Sequence, residues 1–488
     1  MFNRFALLTM VGLSVMANGL QAQKKKSNPA VQAAKTQVRQ DLDNDHGKYK
    51  DIAMQIWEYA ELGYKEQKSS ALLQQTLKDN GFQVESGVAG IPTAFVATYG
   101  SGSPVIGVLA EFDALPGLSQ EAVAEKKPAA GRTSGHGCGH HLFGTASVAA
   151  GIELKKMIDQ YKFTGTIKVY GTPAEEGGSG KVYMVREGLF KGVDVVLHWH
   201  PGDENAVTYD GALANKSAKF RFYGVSAHAS ASPERGRSSL DGVEAMDMMV
   251  NMMREHIPSD ARIHYVITSG GKAPNVVPDF AEVYYYVRHP NRDVVKQLFD
   301  RIVLAAQGAA TGTETRMDYE PIGGTYDLLL NTELAKAMQV NLDQVGGFSY
   351  TEEEKAFAKK IQQSLGFATP PMERAGTVKP LTREPNAPMG STDVGDVSWN
   401  VPTVGLSAAT WVPGTPAHSW QAVACGGTDI GAKGMTVAAK TMAMTGIDLL
   451  TDPAILQKAK AEFDAARGAD FKYYPLLGDR KPALNYRD

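Results

Sequence analysis

Cysteine is almost missing from this chain of 488 residues: Cys138 and Cys425 are the only two. Two thiols cannot form a disulfide framework, so stability has to come from hydrophobic cores. Charge of one sign is also scarce. The formal net charge is −3, which leaves no basic footprint for nucleic acid. Beyond the first residues there is no apolar run near the roughly 20 residues that cross a bilayer. Internal repeats and long low-complexity segments are absent as well. What is present is the profile of a folded, soluble protein: 43% hydrophobic and 21% charged residues, with 50 glycines marking many tight loops. The length exceeds that of one ordinary core, so at least two domains are expected.

Residues 1–22 differ in kind. Arg4, an apolar run from Phe5 to Met16, and small or polar residues toward Ala22 are the pattern of a secretory signal peptide. The expected protein is exported, periplasmic or secreted, without a membrane span after signal removal. Residues 23–43, opening with Lys24-Lys25-Lys26, read as a flexible leader. In an oxidising compartment a Cys138–Cys425 bridge stays open on sequence alone, although a metal-bound Cys138 would be protected from it.

From residue 44 to 212, helical periodicity alternates with short apolar strands. This is the pattern of a mostly parallel sheet with helices on both faces. Three strands in succession end in chemistry-bearing residues. Val105–Ala110 delivers Glu111 and Asp113, candidates for orienting ligands or for binding metal. Thr166–Gly171 delivers Glu175 and Glu176, and Val193–Leu197 runs into His198 and His200. In open α/β sheets the strand ends carry the site. Between the first two lies Gly135-His136-Gly137-Cys138-Gly139-His140-His141, where imidazoles and a thiol sit among glycines that permit a tight turn. Residues 213–323 follow the order β-α-β-β-α-β of a ferredoxin-like α+β sandwich and read as an inserted domain. Its polar candidates are His228, Asn275 and Arg288. Its methionines, Met246, Met248, Met249, Met252 and Met253, read as core or interface packing. Residues 324–488 return to the first domain's style and carry Asp393 and a solitary His418, then a polar, aromatic wrap.

Cys138, His140, Glu176, His200 and His418 exceed the three ligands of one catalytic zinc. They suit two divalent ions if the Cys138 thiolate bridges, and such a pair can activate water and polarise a carbonyl. Zinc-like or manganese-like ions fit these donors. The chemistry also needs a carboxylate base that is not itself a ligand. Glu175 and Glu176 can divide those tasks, and sequence leaves open which does which.

Together, His-Gly-Cys-Gly-His (136–140), Thr-Pro-Ala-Glu-Glu-Gly-Gly (172–178), His-Pro (200–201) and Ala-His-Ser (417–419) resemble the dinuclear-metal amidohydrolase and peptidase family. That family includes aminoacylases, glutamate carboxypeptidases and auxin-amino acid hydrolases. The strings Gly-Ser-Thr-Asp-Val-Gly-Asp-Val-Ser-Trp (390–399) and Pro-Gly-Thr-Pro-Ala-His-Ser-Trp-Gln (413–421) are similar to its p-aminobenzoyl-glutamate hydrolase B-subunit branch. The resemblance implies that Cys138, His140, Glu176, His200 and His418 hold the metals and that Glu175 is the base. It implies that the inserted block is a lid and dimerisation domain, with His228 serving a partner's site and Asn275 and Arg288 meeting substrate. The implied activity is hydrolysis of an N-acyl or N-aroyl amino acid such as p-aminobenzoyl-glutamate. The rivals are a dipeptidase or aminoacylase with the same site, and a non-catalytic metal-binding scaffold. Two departures stand out. Glu111 occupies a position where many relatives carry His, and His141 one where they carry Asp or Asn.

Overall fold

The computed structural model describes residues 28–385, 387 and 390–487. Residues 1–22, read as an export signal, lie outside them. An eight-stranded sheet forms the larger unit, in the order Gln83–Ser86, Phe95–Ser101, Gly165–Gly171, Val105–Ala110, Val195–Gly202, Thr403–Ala409, Asn205–Thr208, Val378–Lys379. Its four central strands, from Gly165–Gly171 to Thr403–Ala409, are parallel. Val105–Ala110 has no polar side chain and is buried along almost its whole length, as a strand covered on both faces requires. Parallel strands share one carboxyl edge. Residues 111–113, 175–176, 200 and the loop leading to 418 therefore converge there without any long-range coincidence.

The long helices His140–Tyr161 and Asp429–Thr451 pack on each other and on the sheet. The smaller unit is an antiparallel sheet ordered Arg262–Ser269, Phe280–His289, Ala214–Tyr223, Arg316–Thr325, with the helices Ser239–Met253 and Arg292–Gly312 packed on it. Strict alternation along Phe280–His289 buries Val283, Tyr285 and Val287 in that unit's own core and leaves Tyr284, Tyr286 and Arg288 on the other face. Met246 and Met253 join the core, whereas Met248 and Met252 are exposed.

The flexible leader is corrected for its described part. Pro29–Asn44 is a helix with Pro29 in its first turn, and the Asn28 side chain accepts from the Ala30 amide. Val31, Ala34, Val38 and Leu42 recur at helical spacing and enter the main core. Surrounding Gln, Lys and Arg residues hid that stripe from a compositional reading. Lys35 lies on the same buried face, where Nζ donates to Asn341 Oδ1 at 2.8 Å and to Asp448 Oδ2 at 2.7 Å. Pro453–Arg467 is a further helix that sequence reading merged into the final wrap.

Residues 468–487 then cross both units. The Tyr473 hydroxyl donates to Asp396 Oδ1 at 2.7 Å, Tyr326 Oη donates to the Tyr474 carbonyl at 2.6 Å, and Leu476 packs in the smaller core. Asp396 is fully buried, and its Oδ2 also accepts from the Tyr326 amide at 2.9 Å. Burial pushes its carboxyl up to about 7, against those hydrogen bonds.

Two tests follow from these buried charges. Lys35→Met leaves Asp448 without its cation and is expected to lower unfolding free energy by about 3 kcal/mol, with much of that loss recovered by adding Asp448→Leu. Urea unfolding reads both, and a loss below about 0.5 kcal/mol for Lys35→Met would mean that the first helix is not docked. For Asp396, the folded carboxyl holds its proton more tightly than the unfolded one, whose ordinary value is 3.8. Its contribution to stability is therefore complete below about pH 4 and lost as pH rises through about 7. Asp396→Asn is expected to gain on the wild type in melting temperature between about pH 4 and about pH 8. Parallel pH profiles of the two proteins would contradict this.

Candidate metal and active site

The loop before helix His140–Tyr161 is built to turn. Gly139 has φ +77°, and a Cβ there would stand 2.7 Å from the Pro201 ring. This lets Cys138 and His140 face the strand that carries His200. Cys138 Sγ lies 3.4 Å from His200 Nε2. His200 Nδ1 donates to the Pro201 carbonyl at 2.7 Å, which leaves Nε2 with the lone pair. Asp113 acts in the same way on His140, with Oδ1 at 2.8 Å from Nδ1, while its Oδ2 accepts from the Glu176 amide at 2.9 Å. Of the two roles left open for Asp113, orienting is the one this geometry supports. The His418 amide donates to the Gly137 carbonyl at 2.9 Å, docking its loop, and His418 Nε2 lies 3.1 Å from Glu176 Oε1.

Two sets of donor atoms, each within 4.8 Å of one another, result: Cys138, His140 and His200, and Cys138, Glu176 and His418. Cys138 belongs to both, the arrangement that a bridging thiolate requires. A third set is Glu111, His140 and Glu175. Glu111 Oε2 and His140 Nε2 face each other at 3.0 Å, and neither buried atom has a hydrogen-bond partner among the described residues. Buried ligand-type atoms facing one another in this way fit a cation.

The two adjacent carboxylates behave differently. Burial raises Glu175 well above the ordinary carboxylate range, reinforced by Glu111, Glu176 and Asp393. Burial also pushes Glu176 up, but His418 and His140 outweigh it and hold the carboxyl below its usual range. The turn that presents both is strained: Ala174 has φ +57°, and its amide donates to Glu66 Oε1 at 2.9 Å. His418, at φ +57°, is strained as well.

Several residues of this site escaped sequence reading. Glu66 is fully buried, braces the strained turn, and is pushed up to about 8 by burial and by Asp113. Lys181 is fully buried, with Nζ 2.7 Å from both Glu111 Oε1 and Asp393 Oδ1. Nothing in sequence singles out a lone Glu before a helix or a Lys inside one. His141 and His136 prove to be braces. Their rings pack with centroids 4.8 Å apart, His141 Nε2 lies 3.0 Å from the Gly426 carbonyl, and His136 Nε2 lies 3.1 Å from that of Ile56. Burial takes His136 down to about 3, and likewise His198, which packs against Gly405 outside all three donor sets. Cys138 and Cys425 are free thiols, so the bridge left open by sequence is absent.

A cavity of ≈ 490 Å³ opens on Cys138, Glu175, Glu176, His200 and His418. The smaller unit supplies its far wall, including Arg288, Tyr286 and Asn215. His228 and Asn275 do not line it. Both are exposed on loops of the smaller unit, where the Ala229 amide donates to the Asn275 carbonyl at 3.1 Å. His228 Nδ1 accepts from the Ala231 amide at 3.1 Å, which places the ring proton on Nε2.

A family model described as Peptidase family M20/M25/M40 matches residues 107–441. The chain is 42% identical to the B-subunit of the p-aminobenzoyl-glutamate hydrolase of Escherichia coli (strain K12) over 467 residues, covering 91% of this chain and 97% of that protein. It is 28% identical to the Xaa-Arg dipeptidase of Mus musculus over 432 residues, 84% of this chain and 88% of that one. Among solved structures, an aminobenzoyl-glutamate utilization protein from Klebsiella pneumoniae superposes with a TM-score of 0.57 at 18% identity, covering 84% of this chain and 98% of that one. A dinuclear metal binding peptidase of Bacillus subtilis gives 0.56 at 15% identity, covering 84% and 99%. Converging strand ends, a shared cysteine and a match across most of the sequence point the same way: the chain belongs to peptidase family M20/M25/M40.

Proposed function

We propose that this protein is a metal-dependent amidohydrolase acting on N-acyl or N-aroyl amino acids, with p-aminobenzoyl-glutamate as the leading substrate. The observation that carries the reading is Glu175: a half-buried carboxyl set beside the donor cluster and lining the same cavity. A scaffold that only bound metal would have no use for it. Cys138, His140, Glu176, His200 and His418 would hold two divalent ions, of the zinc or manganese kind. When bound, such ions acidify water and polarise a carbonyl oxygen.

The chain's own part is proton management and placement. Glu175 accepts a proton from the attacking water as its oxygen adds to the amide carbon, then returns that proton to the leaving nitrogen as the C–N bond breaks. The products are a carboxylate and an amine. Arg288 meets a substrate carboxylate with its planar fork. Lys181 holds Glu111 and Asp393 in place behind the site. The exposed His228, with its proton on Nε2, suits an oxyanion in the site of a second copy. Homodimerisation is supported by the unpaired edge of Arg262–Ser269, where Val266 is exposed, and by the exposed Met248 and Met252 of the neighbouring helix. Asn275 would then meet substrate from the same loop region. Export rests on residues 1–22 alone.

The test is hydrolysis of p-aminobenzoyl-glutamate, N-acyl amino acids and dipeptides by protein loaded with Zn²⁺ or Mn²⁺. Glu175→Gln is expected to lower kcat by about 10²- to 10⁴-fold with bound metal unchanged. Cys138→Ser is expected to lower metal content, and chelation to abolish turnover. Full activity in Glu175→Gln would remove it as the base. Bound metal with no turnover of any substrate by the wild type would favour the scaffold.

A further inference from the structure

Residues 468–487 do more than wrap the surface. They are tied to the larger unit by Tyr473 on Asp396, and to the smaller one by Arg480 Nη1, which donates to the Ile322 carbonyl at 3.2 Å. Their end lies on the active-site turn itself. Tyr486 Oη and Arg487 Nη2 both donate to the Glu176 carbonyl, at 3.0 Å and 2.5 Å. Tyr486 meets Tyr64 edge-on at 5.5 Å, and the Arg487 guanidinium lies over the Tyr486 ring at 4.8 Å. This anchoring brings Arg487 to the wall of the cavity that Arg288 lines from the other side of the domain boundary.

Resting on the amidohydrolase reading, we infer that Arg487 and Arg288 form a two-guanidinium clamp, so that the site takes an amide whose amine half carries two carboxylates. The Nε atoms of both arginines are buried without a hydrogen-bond partner among the described residues. A buried guanidinium proton without an acceptor is costly, and a carboxylate answers it with paired, charge-assisted bonds. Of the cavity's three carboxylates, Asp393 is held by Lys181 at 2.7 Å, Glu176 lies 3.1 Å from His418, and Glu175 faces the donor set of Glu111 and His140. Asn215 Oδ1, Thr325 Oγ1 and Ser391 Oγ line the same cavity and are also buried without a partner among the described residues, which extends a polar lining suited to a polar ligand. The volume of ≈ 490 Å³ falls within the range for small-molecule sites. Two fixed cations would equally reject a substrate with a basic side chain in that position.

The discriminating pair is p-aminobenzoyl-glutamate and p-aminobenzoyl-glutamine, equal in size and differing by one carboxylate. The metal-loaded wild type is expected to prefer the glutamate conjugate by about 10- to 100-fold in kcat/KM, mostly through KM, the scale of one charge-assisted bond. In Arg487→Gln the ratio falls to near one, and in Arg487→Lys it is partly restored. Thermal melts check that the variants fold; if Arg487→Gln does not, a lowered ratio in Arg487→Lys carries the same comparison. Turnover of both conjugates with the ratio unmoved by substitution at Arg487 overturns the clamp and leaves amide hydrolysis standing. An equal loss on both conjugates overturns it too, because it marks a purely structural segment. If the wild type hydrolyses neither, the functional reading has failed on these substrates, and calorimetry with glutarate decides the clamp. Binding weakened by about tenfold or more in Arg487→Gln upholds it, and no binding, or equal binding, overturns it.

Discussion

A chain of buried opposite charges organises this molecule. It runs from Asp113 through His140 and Glu111 to Lys181 and Asp393, with successive contacts of 2.8, 3.0, 2.7 and 2.7 Å. Taking such groups out of water costs several kcal/mol each, and mutual contact is what offsets that cost. The chain's members come from four separate places: the end of strand Val105–Ala110, the two helices after residues 139 and 179, and the loop before residue 394. None can be buried unless the others arrive, so packing of the sheet and assembly of the site become one event. The contact between Glu111 and His140 also belongs to one of the three donor sets. The same constraint that closes the core therefore brings ligand-type atoms together at the site.

The sheet's parallel centre was legible because it depends on local patterns. Continuous apolar runs ending in Asp, Glu or His mark buried strands, and parallel pairing puts their ends on one edge. The donor cluster was legible because His, Cys and adjacent carboxylates between glycines are rare by accident. Less visible were the residues whose roles exist only in three dimensions. Lys181 looks like any helical lysine until Asp393, far along the chain, comes to meet it. Glu66 looks like a solvated residue before a helix, yet it holds the Ala174 amide. The helix Pro29–Asn44 is hard to read from sequence because its mean composition is polar while its buried stripe is narrow. His228 and Asn275 stand apart from the cavity of their own chain.

The division between the two units also divides the chemistry. Donor atoms and Glu175 belong to the larger one, whereas Arg288, Asn215 and Tyr286 belong to the smaller. Positioning an amide for attack thus depends on the relation of one unit to the other. Near-attack placement is worth many orders of magnitude in rate, and errors of about an ångström are costly. The segment 468–487 fixes that relation from outside the sheet. It is bonded to Asp396 in one unit, to Ile322 in the other, and to the Glu176 carbonyl at the site. A strap with three such anchors couples the boundary between the units to the turn that presents both catalytic-site carboxylates. The strain at Ala174 is then maintained from two sides of the turn, by Glu66 on the Ala174 amide and by Tyr486 and Arg487 on the Glu176 carbonyl.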